Sequence, residues 1–290
     1  MRLWPGRRKT PRELAPGQCF EDGREVMGVL EDVLDDRPDA ALVLNYHGRL
    51  SLRVEAGGHA FKVAECESVE RARLAERALE AAYAQGGPVP RLIARTGVVL
   101  VCDWVEGQSG KSLPAPQQIE AVLECQVALW NIAAPVQPGP PEYVHLDSLL
   151  ERFELAGPAV LPEASVRRIV DRLRARLPQT GDVHLIHPDL TPANIVMTGA
   201  GPVIIDNEVI SVGVGAEFDI WNSGEALFGF RNVSAIRRYV DAFHSRCPMP
   251  SLYAHQSVWD DFRLLRKGLK SLAKGSHLKA RRLFRKLEPR

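Results

Sequence analysis

Between residues 40 and 65 apolar and polar positions alternate with a period of two. Leu50, Leu52 and Val54 alternate with Ser51 and Arg53, and Phe61 and Val63 flank Lys62, as half-buried strands do. Gly57-Gly58 is a turn signal between these runs. Ala41–Leu44 reads as a preceding strand joined through Tyr46-His47-Gly48-Arg49, so the pattern predicts a three-strand antiparallel meander. Upstream, residues 1 to about 20 are basic and broken by Pro and Gly, and are expected to form a loosely ordered leader. Glu21 to Asp36 predicts a short helix ended by Pro38. The period then changes to that of a helix from Ser68 to Gln85, stopped by Gly86-Gly87-Pro88,. Strands are expected at Arg91–Ala94 and Val98–Val105. Gly107 to Pro116, rich in Gly, Ser and Pro, reads as a junction,. Beyond it, Gln117–Ala133 and Val166–Leu177 carry helical periodicity, a strand-loop-strand region spans Val183–Ile210, and helices follow to the end. Strands first and helices later predict an α+β protein of two unequal lobes, divided near residues 107 and 108.

The length, 290 residues, is enough for two lobes with separate cores,. A formal net charge of +1 gives no molecule-wide field for nucleic acid,. The five cysteines form no C-x-x-C pair, which argues against a disulfide framework or a zinc site and for a reducing cytoplasm,. No apolar run approaches the length of a membrane span, and no secretory signal is visible.

The most informative stretch is Leu185-Ile186-His187-Pro188-Asp189-Leu190-Thr191-Pro192-Ala193-Asn194-Ile195-Val196, which has the form H-x-D-x-x-x-x-N between apolar pairs. Ile204-Ile205-Asp206 follows, with Asp206 twelve residues after Asn194. Phosphoryl transfer to a hydroxyl needs a carboxylate to orient that hydroxyl and take its proton, and Asp189 suits that role. Asn194 offers an amide oxygen, and Asp206 a carboxylate beyond a hairpin, for Mg²⁺ bound to the phosphates.

These residues resemble the catalytic loop of the aminoglycoside phosphotransferase and choline kinase superfamily, over roughly residues 40 to 245. The resemblance implies a bilobal protein kinase-like fold with a small antiparallel-sheet N-lobe and a larger, mainly helical C-lobe. It implies an ATP-dependent, Mg²⁺-requiring phosphotransferase with Asp189 as catalytic base and Asn194 and Asp206 as metal ligands. His187 would brace the loop, and Asp219, in Glu217-Phe218-Asp219-Ile220, would anchor it from below. Lys62, on the third strand of the meander, would meet the ATP phosphates. Its carboxylate partner is expected on the following helix. There Glu76 falls inside the apolar stripe of Ala72, Ala75, Leu79, Ala82 and Tyr83, where an unpaired charge is costly, and Glu80 lies at its edge. The turn at Gly48 would cover the phosphates, although it lacks the glycine-rich pattern of protein kinases. Backbone groups of Asp103-Trp104-Val105 would meet the adenine.

Three features depart from protein kinases and point to a small-molecule hydroxyl acceptor. Pro188 stands where Arg is usual, Asn207-Glu208 follows Asp206, and only thirteen positions separate Asp206 from Asp219. Glu208, Glu217 and Glu225 are candidate acids for a polycationic acceptor. The last 28 residues, 263 to 290, hold eleven Lys or Arg and one acid, Glu288. Leu264, Leu265, Leu269, Leu272, Leu283 and Phe284 interleave with these cations like a basic amphipathic helix. Such a helix would either pack by its leucines on the C-lobe with its cations solvated, or give peripheral contact with an anionic membrane and an acceptor that is a membrane-associated glycan or lipid, as for kinases of lipopolysaccharide sugars, or a protein. A non-catalytic nucleotide-binding module is the remaining alternative.

Overall fold

The structure is a computed structural model that describes residues 12–46, 49–135, 143–178 and 181–288. The described chain falls into two compact units. The stretch up to Pro138 joins His184–Val212, and Gly139–Val183 joins Gly213–Arg290. This grouping differs from a division at residue 107.

The first unit is built on a six-stranded antiparallel sheet ordered β1-β2-β3-β4-β6-β5. Its strands are β1 (Arg12–Glu13), β2 (Ala40–Tyr46), β3 (Leu50–Ala56), β4 (His59–Glu65), β5 (Leu92–Thr96) and β6 (Val99–Asp103). On β3 buried and half-buried residues alternate along the whole strand, as the sequence pattern requires,. Helix α1 (Val26–Leu34) covers one face with Val26, Val29 and Leu30 over Leu52, Val54 and Val101. It starts later than Glu21, because Gly23 takes a left-handed conformation and Asp22 grips Arg24. The segment before it is no loose leader from Arg12 onward. Arg12 and Glu13 pair with Val43 and Leu42, and Phe20 enters the core.

Helix α2 (Val69–Ala84) begins at Ser68, whose hydroxyl accepts from the Arg71 N–H at 3.1 Å,. It buries Ala72, Ala75, Ala78, Leu79 and Ala82, whereas Tyr83 is half exposed. The chain continues through β7 (Gln108–Ser109) into α3 (Ala115–Asn131), and the unit is completed by β8 (His184–Ile186), β9 (Ile195–Thr198), β10 (Gly201–Ile204) and β11 (Ser211–Gly213). Three contacts fasten this late part of the chain to earlier segments of the same unit. Strand β7 pairs with β9, Gln108 opposite Met197. The Ile204 N–H donates to Pro88 O at 2.8 Å. Trp130 of α3 stacks on His184 with ring centroids 3.4 Å apart. Gly107 has φ +155°, and a Cβ there would lie 2.2 Å from Met197 O, so only glycine permits this approach.

The second unit is helical: α4 (Val144–Ala156), α5 (Glu163–Arg176), α6 (Ala216–Phe228), α7 (Val233–Arg246), α8 (Ser251–Ala254), α9 (Gln256–Ala273) and α10 (His277–Arg285). Phe153, Phe218, Trp221, Phe243, Trp259, Phe262 and Phe284 are fully buried. The basic C-terminal stretch is two helices rather than one, broken at Gly275 with φ +72°. Its apolar face is covered by the unit's own core, since Leu265, Leu269, Phe284 and Leu287 are buried.

Candidate active site

The hairpin β9–β10 sets the site. Its register pairs Ile195 with Ile204, and the Ile205 N–H donates to Asn194 O at 3.0 Å. Asn194 and Asp206 therefore emerge side by side at its open end. Thr191 O accepts from the Asn194 N–H at 3.0 Å and closes a short 3-10 turn over Pro192–Asn194. The Asn194 amide nitrogen donates to Asp189 O at 2.8 Å and to Asp189 Oδ2 at 3.3 Å. With its NH₂ end held by Asp189, Asn194 turns its amide oxygen away as an acceptor. Asp189 itself is exposed.

His187 is buried, and its Nε2 lies 3.0 Å from Asp206 O. A carbonyl only accepts, so Nε2–H donates and braces the backbone at Asp206. Burial, only partly opposed by the Asp189 charge, holds the imidazole below its ordinary pKa and favours the neutral ring,.

Lys62 reaches the same place from the middle of β4. Its Nζ donates to Ile205 O and to Asp206 Oδ1 at 2.7 Å, and lies 3.5 Å from Glu208 Oε2. Burial opposes the charge on Lys62, but Glu208 and Asp206 outweigh it and hold the ammonium above its usual pKa. Burial likewise pushes the Asp206 carboxyl up, and Lys62 more than offsets this. The expected Lys62–Glu76 pair is not formed. Glu76 binds Arg95 Nε at 2.5 Å, because β5 rather than β4 brings a cation beside α2. The carboxylate brace on Lys62 comes instead from Glu208, through the 3-10 turn Asn207–Val209. Sequence reasoning set Glu208 aside as an acid for an acceptor; its position two residues after Asp206 was the signal for a shared site.

The segment expected to meet adenine is partly committed. The Asp103 N–H donates to Arg91 O at 3.0 Å and the Trp104 N–H to Ala60 O at 3.1 Å. Val105 supplies the segment's third N–H. The Asp103 carboxylate pairs with Arg91, and Trp104 is half-buried beneath the Arg53 guanidinium, 5.2 Å from its centroid. Gly48 lies outside the described residues. Asp219 is buried on the first turn of α6, in the helical unit.

The start of β3 is held by an unexpected residue. Glu65, 2% exposed at the end of β4, accepts from the Glu21 N–H at 2.5 Å and from the Leu50 N–H at 2.8 Å. Glu65→Ala would leave two amides without an acceptor, at about 1–3 kcal/mol each. Urea denaturation should show a loss in that range or above, and a change under about 0.5 kcal/mol, as at an ordinary surface site, would rule the contact out as a fastening.

The oxygen donors of Asn194 and Asp206 are of the kind Mg²⁺ takes, and that ion needs few protein ligands because water and phosphate complete its shell. No cluster of three or more His, Cys, Asp or Glu suited to a metal occurs among the described residues. All five cysteines are free thiols, and burial pushes those of Cys66, Cys102 and Cys125 up to about 12.

Residues 41–243 match the family model described as the phosphotransferase enzyme family. The chain belongs to this family. It is a phosphotransferase of the kinase type, acting on a hydroxyl group. No curated protein matches it in sequence. Among solved structures it is similar to a thermostable mutant of aminoglycoside phosphotransferase APH(4)-Ia in ternary complex with ADP and hygromycin B, at 15% identity over 90% of this chain and 98% of that one, TM-score 0.55. A putative fructosamine-3-kinase from Thermobifida fusca is 19% identical over 90% and 98% of the two chains, TM-score 0.57. Plasmodium vivax ethanolamine kinase is 13% identical over 85% and 83%, TM-score 0.61. These likenesses establish the kinase-like fold. No helix among the described residues is long and apolar enough to cross a membrane.

Proposed function

We propose that this phosphotransferase moves the γ-phosphate of ATP to a hydroxyl of a small molecule, with Asp189 as the base. The observation that carries the reading is the convergence of Lys62, Asp206, Asn194 and Asp189 on one hairpin of a single compact unit. ATP is favoured as donor because the similar aminoglycoside phosphotransferase was crystallised with ADP. Asn194 and Asp206 would hold Mg²⁺, which when bound neutralises phosphate charge. Lys62 would exchange its bond to Asp206 for phosphate oxygens while Glu208 keeps it in place. Asp189 would orient the acceptor hydroxyl and take its proton, fixed meanwhile by Asn194. Little covalent work falls to the protein, so positioning and charge carry the rate.

Two of the three acids suggested for a polycationic acceptor already bind cations of this chain, Glu208 with Lys62 and Glu225 with Arg263. This favours a neutral or anionic hydroxyl compound over an aminoglycoside. The test is ADP release from ATP and Mg²⁺ with panels of sugars, amino-alcohols and aminoglycosides. Acceptor-dependent release that disappears in Lys62→Met is expected. Failure of the parent protein to bind ATP at all would refute the proposal.

A further inference from the structure

The helix α10 leaves a face that the phosphotransferase reading does not use. At 100° per residue, Ala280 and Phe284 point one way, with Leu287 just beyond the helix, and all three are fully buried. Phe284 sits against Gly268 of α9, where even a Cβ would come within 2.1 Å of its ring, and its ring is 4.7 Å from that of Phe153. That packing fixes which side faces outward. Opposite it stands Leu278, 76% exposed, with Arg281, Arg282 and Arg285 around it and Lys279 and Lys286 at the borders. All five cations are exposed. The helix contains no acid, and none of these five has an ion-pair partner among the described residues. The less exposed basic residues Arg172, Arg176 and Arg263 of the same unit are neutralised, the first two by Asp261 and the third by Glu225 and Asp260.

We propose that α10 is a docking face for an anionic membrane surface, with Leu278 entering the interface and the five cations lying among lipid phosphates. Charge complementarity selects an anionic partner. The exposed leucine at the centre of the cationic face selects a lipid one, because long basic side chains spread to the headgroups while an aliphatic tip is buried. A nucleic-acid backbone offers nothing for Leu278, and this face carries no aromatic ring on which bases could stack.

The test is co-sedimentation of the full chain with phosphatidylcholine vesicles, with and without phosphatidylglycerol, at low and high salt. The protein should sediment only with the anionic vesicles and be released by salt. Neutralising Arg281, Arg282 and Arg285 together with Gln should weaken partitioning by about fivefold per charge, or about a hundredfold in all. Leu278→Ser should weaken it by about tenfold while leaving the salt dependence unchanged. All four positions point to solvent, so thermal unfolding of the variants should match the parent. Absence of binding to the anionic vesicles overturns the proposal. So does binding that ignores Leu278→Ser and is matched by equal affinity for double-stranded DNA, which would make α10 a general polyanion face.

Discussion

Asp189→Asn is expected to lower the turnover number by about two to four orders of magnitude while leaving nucleotide affinity close to that of the parent. The partners that hold Lys62 are Ile205, Asp206 and Glu208, and the hydrogen bonds from Asn194 to Asp189 run to its backbone carbonyl at 2.8 Å and to one carboxylate oxygen at 3.3 Å. The stronger of these survives in the amide, so the turn over Pro192–Asn194 should hold. What disappears is the ability to accept a proton from the acceptor hydroxyl. Asp206→Asn makes the contrast, because Asp206 bonds Lys62 at 2.7 Å and is a proposed metal ligand. That change should weaken nucleotide binding as well as turnover. Titration of a fluorescent ATP analogue and acceptor-dependent ADP release, measured on both variants, separate the two roles. Turnover of Asp189→Asn within tenfold of the parent would mean that no general base acts at this position.

The hairpin of the candidate site was legible because its information is local. Asp189 and Asn194 share one turn, and a short antiparallel pair carries the chain from Asn194 to Asp206, so spacing alone fixes their proximity. The three-strand meander was legible for the same reason, since alternation and Gly57-Gly58 act between neighbours. What was not legible depends on pairing at a distance. Strand β6 inserts between β4 and β5, and this puts Arg95 rather than Lys62 beside Glu76. Nothing in the helix stripe of α2 encodes that order. The association of the late hairpin with earlier segments of the chain rests likewise on β7 pairing with β9 and on Pro88 accepting from Ile204. The single helix expected across the basic C-terminal stretch is two for a local reason: Gly275 takes a left-handed conformation and breaks the helical period, with Leu265, Leu269 and Leu287 serving the core of the second unit and Leu278 left exposed.

That core contains the second change of large expected effect, Arg263→Met. The Arg263 side chain is 5% exposed and binds Glu225, itself 10% exposed, through Nε at 3.2 Å, with Asp260 at 2.8 Å and the Phe230 ring 5.5 Å away. Removing the guanidinium leaves a buried carboxylate facing a thioether, and such half-broken pairs cost about 3–5 kcal/mol. Lys267 Nζ remains 3.9 Å from Glu225, which places the expectation at the lower end, about 3 kcal/mol. Urea unfolding should show this as a lower midpoint with little change in slope. The decisive comparison is the double variant Glu225→Leu with Arg263→Met. If desolvated charge is the source of the loss, removing both partners should recover most of it, because well-packed apolar replacements of a buried pair are often neutral. A double variant less stable than the single would assign the loss to packing, including the cation–π contact with Phe230. Recovery would also fix the meaning of Glu225, which is held as the counter-ion of Arg263 between α6 and α9 and is therefore not available to bind a positively charged acceptor.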